Sequence, residues 1–305
     1  MLSEKEIKGR LIRNDALFDY IFIFQQKFDI LPDNGHIGAS IAFQDIQELR
    51  DDFLGQLVDT IAEWVYSAKK FDKLKNIFSA RKTESAAASE VLRKAKEKFR
   101  RGQNGKLLSQ GQIGELLLFH FIQRFFGAIP ILRKMPITTS PEMERFGADA
   151  IHYRIQNTQH HIIVGEAKAY TSKYKFNEAM EDAINSILSS YTNLRKELHL
   201  YLHEDFLDPE MDEIAELFLS NRLSPVTIDL VCLILYNETK SFEITSEDEI
   251  KRQIKQIIEN RYRGFDNSKL DFDQFPILNR ITYIVFPVWK FDELAKEFEK
   301  HIDGG

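Results

Sequence analysis

The run Val226–Tyr236 is apolar at nearly every position, interrupted only by Thr227 and Asp229. Aliphatic residues without polar alternation describe a strand covered on both faces. Such a strand needs helices above and below it, so the rest of the chain must supply apolar-striped helices and further strands. The spacing predicts helices over 43–68, with Leu49, Phe53, Leu57, Ile61 and Val65 in register, and over 109–126, closed by Gly127. Further helices are expected over 177–198, from Pro209, over 247–259 and over 291–301. Strand-like runs occupy 20–24, 129–132, 148–155, 160–168 and 281–288, with a polar loop through Thr138–Pro141. Strands interleaved with helices imply an α/β (α+β) chain whose central mixed sheet is flanked by helices.

Composition narrows the class. The 24 Phe among 305 residues supply enough apolar volume for a substantial core. Cys232 is the single cysteine, so no internal disulfide or cysteine-based zinc site can form. It sits inside the apolar run and reads as a buried small hydrophobe. No apolar run approaches the roughly 18 residues that a membrane span requires. Met1–Glu6 has neither the basic start nor the apolar stretch of a signal peptide, so a cytoplasmic protein is expected.

Net charge is −6, but it is unevenly spread. Residues 69–106 hold 13 Lys and Arg against four acids, a local +9 on an otherwise acidic chain. A basic stripe of this kind suits a phosphate backbone or an acidic partner; it also suits a solvated helical face. Lys94, Lys98 and Arg101 are its candidate DNA contacts. Gly102–Gly105 is the clearest break in pattern, which suggests a division into an N-terminal region, 1–106, and a second domain, 107–305.

The chemistry lies beyond that break. Glu115 is the only acid in the helix 109–126, and its helical neighbours Leu118, Phe119 and Ile122 are apolar. A carboxylate on such a face is costly unless something compensates it. Gln156–Gln159 is turn-like between two strand runs. A turn centred on Asn157–Thr158 puts Asp149 opposite Glu166, with Cβ atoms about 5 Å apart. Alternation places Asp149 with Ile151, Tyr153 and Ile155, and Glu166 with Lys168, Ile162 and Val164. Two acids facing one another on an apolar face are destabilising unless a cation lies between them. Phosphodiester hydrolysis uses this equipment: carboxylates hold a hard divalent ion, and an adjacent lysine orients the attacking water and offsets negative charge.

Gly114-Glu115, Gly147-Ala148-Asp149-Ala150 and Gly165-Glu166-Ala167-Lys168, in the order helix, strand, strand, resemble the E…D…ExK pattern of PD-(D/E)xK nucleases. Asp149 lacks the preceding proline. The resemblance implies a restriction-endonuclease-like core with an N-terminal α/β extension. It makes Glu115, Asp149 and Glu166 ligands of Mg²⁺ (Mn²⁺ can substitute), the Ala167 carbonyl a fourth ligand, and Lys168 catalytic. From Leu107 to about Ser190 the chain is similar to the HamA family, the nuclease-like subunit of Hachiman antiphage defence. That resemblance implies a HamB-type helicase partner and DNA as substrate.

Tyr170, Lys173 and Lys175 follow the candidate catalytic strand and are further candidate DNA contacts. His199 and His203 have metal-like spacing, but no third ligand is evident and the HExxH order is absent. His152 falls on the strand face opposite Asp149, and His160 and His161 follow the turn, so none is taken as catalytic. The chain has no GxxxxGK[ST] loop, so ATP-driven translocation would come from a partner. The rival readings are a catalytically silent nuclease-fold adaptor that binds the helicase and DNA, and a restriction-like endonuclease with its own recognition surface. The complete set of three acids and a lysine favours the enzyme.

Overall fold

The apolar run becomes the middle of a sheet. The computed structural model describes residues 2–12, 14–99, 101, 108–133, 147–170, 176–202 and 209–304. The Gly102–Gly105 break, the loop Thr138–Pro141, Lys173, Lys175, and His203 with its neighbour Glu204 lie outside them. In chain order the elements are α1 (Glu4–Arg10), α2 (Asp15–Asp19), β1 (Ile21–Lys27), β2 (Gly35–Ile41), β3 (Phe43–Gln44), β4 (Gln47–Glu48), α3 (Arg50–Asp59), α4 (Ile61–Val65), α5 (Ala68–Ser79) and α6 (Glu84–Lys96). There follow α7 (Ser109–Phe126), β5 (Ile129–Leu132), β6 (Ala150–Gln156), β7 (Gln159–Tyr170), α8 (Phe176–Tyr201), α9 (Pro209–Leu219), β8 (Val226–Glu238), α10 (Glu247–Arg263), β9 (Ile281–Trp289) and α11 (Phe291–Asp303).

One seven-stranded sheet has the order β1-β2-β9-β8-β7-β6-β5. β2, β9, β8 and β7 run parallel; the β1–β2 and β6–β7 hairpins and the β5–β6 pair are antiparallel. The sheet is therefore mixed, as expected. The N-terminal strands extend this same sheet beyond β9, so residues 21–41 and 129–289 share it.

β8 shows why its sequence lacks alternation. Val231, Leu233 and Leu235 join a core built with α3, α4, α6, α7 and α11 on one face. Leu230, Cys232, Ile234 and Tyr236 join a second core with α8, α9 and α10 on the other. Each fully buried aliphatic side chain is worth roughly 1.5–3 kcal/mol, so covering both faces is what the strand contributes to stability.

One sequence expectation needs correction. The helix expected over 43–68 does not begin at Phe43: the short β3–β4 hairpin comes first, and the helix starts at Arg50. It is then interrupted at Thr60, whose hydroxyl bonds back to the Leu57 carbonyl at 2.7 Å. Of the apolar residues that suggested one long helix, Phe53, Leu57, Ile61 and Val65 are buried on two short ones, α3 and α4, while Leu49 is half-buried and precedes α3. The basic segment also divides, into α5 and α6, with Thr83 capping α6 through a bond from the Ala86 amide.

At the C-terminal end of β8 a buried ion pair ties strand to helix. Glu238 is 2 % exposed and accepts hydrogen bonds from Arg261 of α10 (2.6 and 3.0 Å), the Tyr236 hydroxyl, and the amides of Thr239 and Lys240. Burial works against its charge, yet Arg261 and these donors outweigh burial and hold the carboxyl below its ordinary range. Removing the guanidinium strands a buried carboxylate. We expect Arg261→Ala to cost about 3 kcal/mol in urea denaturation, the low end for buried pairs because Arg261 keeps some contact with water. Arg261→Lys should recover only part of that loss, because an ammonium cannot reproduce the fork.

Candidate metal and catalytic site

The site is built on the β6–β7 hairpin. Asn157 and Thr158 take φ of 50° and 66°, the left-handed pair that a type I′ turn requires. That turn sets the register, which runs from Gln156↔Gln159 to Ala150↔Gly165. Carried one step further, it sets Asp149 beside Glu166 just past the last paired residue. There the Asp149 Oδ2 accepts the Ala167 amide proton at 2.9 Å. Ile151, Tyr153, Ile162 and Val164 all belong to the α8-side core, so Asp149, Glu166 and Lys168 emerge on that face by alternation.

The backbone leading into Asp149 is held from α8. Ala148 donates its amide to Glu197 Oε2 at 3.0 Å, and Gly147 has φ +109°. A Cβ at Gly147 would collide with the Glu197 carboxylate. Glycine there satisfies both the left-handed backbone and the close approach.

Glu166 is 3 % exposed. Its Oε1 accepts from Lys168 Nζ at 3.0 Å and from Ser186 Oγ of α8 at 2.6 Å, while Lys168 Nζ also donates to Ser186 Oγ at 3.2 Å. Its Oε2 is buried and has no partner among the described residues. Burial first, and the Asp149 carboxylate second, push the Glu166 carboxyl up to about 7, against the pull of Lys168 and Ser186. Lys168 moves up as well: burial opposes its charge, but Glu166, Asp149 and Asp182 outweigh it. Two acids and one ammonium thus share a half-enclosed site in which one carboxylate oxygen lacks a proton donor.

Glu115 is placed differently. Gly114 stacks on β7: a Cβ there would lie 3.3 Å from Ala167 and 3.8 Å from Ala169. A Cβ at Gly165 would meet Ile122 of α7 at 2.8 Å, so glycine also lets the helix approach the strand. α7 therefore covers the face of Ala167 and Ala169, opposite that of Glu166 and Lys168. Glu115 is half-buried on that helix. Among the described residues, no group of three or more His, Cys, Asp or Glu is gathered as a metal cage. The structure brings together Asp149, Glu166 and Lys168, with Ala167 between them donating to Asp149.

The remaining candidates divide. The Tyr170 hydroxyl donates to Asp182 of α8. Lys94 is paired with Glu97 at 2.9 Å and Arg101 with Asp303, so both cations are already partly neutralised within the chain. Lys98 is exposed. His199 is exposed near the end of α8. His152 is buried on the face expected for it, against Ala128 O at 3.1 Å. His160 bonds the Tyr153 hydroxyl and His161 the Asp229 carboxylate.

Ser186, Asp182 and Glu197 were not singled out from sequence. Asp182 and Ser186 stand at i and i+4 within the expected helix 177–198, so a shared face was legible. Nothing in that spacing says that the face meets the strand carrying Glu166.

The HamA family model matches residues 16–302. The chain belongs to the HamA family. The match takes in β1, β2 and the basic α5–α6 pair, well beyond the 107–190 stretch that carried the resemblance in sequence. Family membership makes the protein a component of Hachiman antiphage defence. No curated protein matches the sequence. Among the described residues no helix is long and apolar enough to cross a membrane.

Proposed function

We propose that this HamA-family chain is a metal-dependent DNase of low sequence specificity, working with a HamB-type helicase. The observation that carries the reading is the unpartnered, buried Oε2 of Glu166 beside Asp149 and Lys168. A buried carboxylate oxygen without a donor is costly, and a second acid alongside makes it more so. A divalent cation relieves both costs. All-oxygen donors suit a hard ion, Mg²⁺ or Mn²⁺, rather than a thiol- or imidazole-seeking one.

Asp149 and Glu166 would hold the ion; Glu115 and the Ala167 carbonyl are assigned as ligands on family resemblance. Once bound, the ion supplies positive charge to the phosphodiester oxygens. Lys168 lies one side chain away from both acids. Its ammonium offsets the charge that develops on the phosphoryl group and orients a water through its one remaining donor position. Cys232 and Ile234, the β8 partners of Glu166 and Lys168, are fully buried in the core on that face and limit the water that competes with these interactions. Contact with the DNA backbone is proposed for Tyr170, Lys173, Lys175, Lys94, Lys98 and Arg101. Lys98 is exposed, and no acid is bonded to it among the described residues.

Two features favour the silent adaptor as a second reading. Lys168 already satisfies one oxygen of Glu166, and the helix that carries Glu115 covers the opposite face of the sheet. Titration separates the two readings. Millimolar Mg²⁺ or Mn²⁺ should raise the melting temperature of the wild type by several degrees, as RT ln(1 + [L]/Kd) requires. The Asp149→Ala/Glu166→Ala double variant should show no metal dependence. An EDTA-insensitive wild type that melts cooperatively would favour the adaptor.

A further inference from the structure

The hydroxyl of Ser186 behaves unlike four others in the helices or at a helix end. Ser79, Ser89, Thr192 and Ser220 all turn back to the carbonyl one turn earlier, at 2.8–3.1 Å. That is the usual fate of a serine or threonine inside a helix. Ser186 instead sends its only proton across to Glu166 Oε1 at 2.6 Å and accepts from Lys168 Nζ at 3.2 Å. Lys168 closes the ring by donating to the same Oε1 at 3.0 Å.

The consequence is selective. Both donors converge on one oxygen of Glu166, and none reaches the other. The terminal torsion of a glutamate is broad and roughly two-fold, so the carboxylate alone has little preference for which oxygen faces which way. The Ser186 hydroxyl breaks that equivalence. It pins Oε1 toward α8, and it gives the Lys168 ammonium a second acceptor on the α8 side. Without it, Lys168 is free to move toward Asp149 and Glu166 Oε2, the oxygens that a cation would use.

We infer that Ser186 is a positioning residue: it anchors Glu166 Oε1 and Lys168 so that Glu166 Oε2 stays open for a metal ion. This inference rests on the metal-site reading above and deepens it. Ser186 touches neither metal nor substrate and acts only through its two neighbours.

Ser186→Ala and Ser186→Thr, in the full-length protein, test it. Alanine is the best helix former, so the fold should survive, with an unchanged metal-free melting curve. We expect Ser186→Ala to weaken Mn²⁺ binding by calorimetry about 10- to 100-fold, the range for losing an outer-shell partner. The kcat of DNA cleavage should fall in step, with KM for DNA unchanged. Ser186→Thr, which keeps the hydroxyl, should restore Mn²⁺ affinity to within about threefold of wild type, because Thr retains the same donor and acceptor. A Ser186→Ala protein that binds Mn²⁺ as the wild type does would overturn the inference and leave the metal site standing. A folded wild type that binds no Mn²⁺ would overturn both.

Discussion

Lys168→Ala and Glu166→Ala are each expected to reduce Mg²⁺-dependent DNA cleavage by about 10²- to 10³-fold, the loss typical of removing one preorganised charge-stabilising group. The two variants should differ in everything but activity. Glu166→Ala removes the acid with the open oxygen, so metal binding should be lost with cleavage. Lys168→Ala leaves Glu166 and Asp149 together without their ammonium. The metal-free protein should therefore lose stability, and Mg²⁺ should stabilise it by a larger increment than it does the wild type. The double variant should be little worse than either single one, because groups that act as a unit are not additive. Digestion of plasmid and linear DNA with Mg²⁺ or EDTA, alongside melting curves, reads all of this. Should the wild type be inactive alone, the assay is repeated with the helicase and ATP; inactivity there as well would establish the adaptor.

Acid should unfold the protein well above the pH at which most domains fail. Three buried histidines drive this. His36 Nδ1 accepts the Tyr283 amide at 3.2 Å, so its proton sits on Nε2, which donates to Pro32 O at 2.9 Å. A second proton has no acceptor to meet, and burial, against the pull of the Pro32 carbonyl and Asp33, lowers His36 to about 4. His152 donates from Nδ1 to Ala128 O, and burial with Arg133 nearby lowers it to about 3. His120 has neither ring nitrogen bonded among the described residues, and burial, Arg133 and His152 bring it to about 3.

In the unfolded chain each histidine gains its proton near pH 6.5. Between there and their folded values the unfolded state binds more protons, so stability falls as pH falls. Each contributes up to about 1.4 kcal/mol per pH unit in that window. Together they should remove on the order of 5 kcal/mol by pH 5, a large share of a typical domain's 5–15 kcal/mol. Glu166 works in the opposite sense, since its folded value near 7 means that the folded state takes its proton first. Burial also raises the Glu48 and Glu63 carboxyls, which join Glu166 in offsetting part of the three histidines. Urea denaturation at pH 7.5 and pH 5 measures the difference, and His120→Leu should flatten it while raising stability at pH 7.5. A pH dependence that His120→Leu leaves unchanged would show that this histidine is not held neutral.

Much of the site was legible because its geometry is local. The Asn157–Thr158 turn dictates the register of the hairpin it closes, so sequence distance from the turn was enough to set Asp149 beside Glu166. Strand alternation put Lys168 on the same face and His152 on the other. Helix α7 and strand β8 were readable from their apolar patterns, since the pattern records which sides are buried.

What the pattern could not record is which element does the burying. β2, Gly-His-Ile-Gly-Ala-Ser-Ile, carries no strand signal, yet most of it is buried. Gly38 is there because the Phe24 ring lies where a Cβ would be, and His36 is tolerated because the distant Tyr283 amide satisfies it. In the same way Glu115 reads as one acid of three, and only the packing of Gly114 on Ala167 and Ala169 shows that the helix carrying it covers the face opposite Glu166. Ser186, Asp182 and Glu197 reach the site only because α8 lies on the other side. Turn chemistry and periodicity dictate what is close along the chain. The tertiary structure decided which helix meets which face of the sheet, because that choice is made by side-chain packing between elements far apart in the chain.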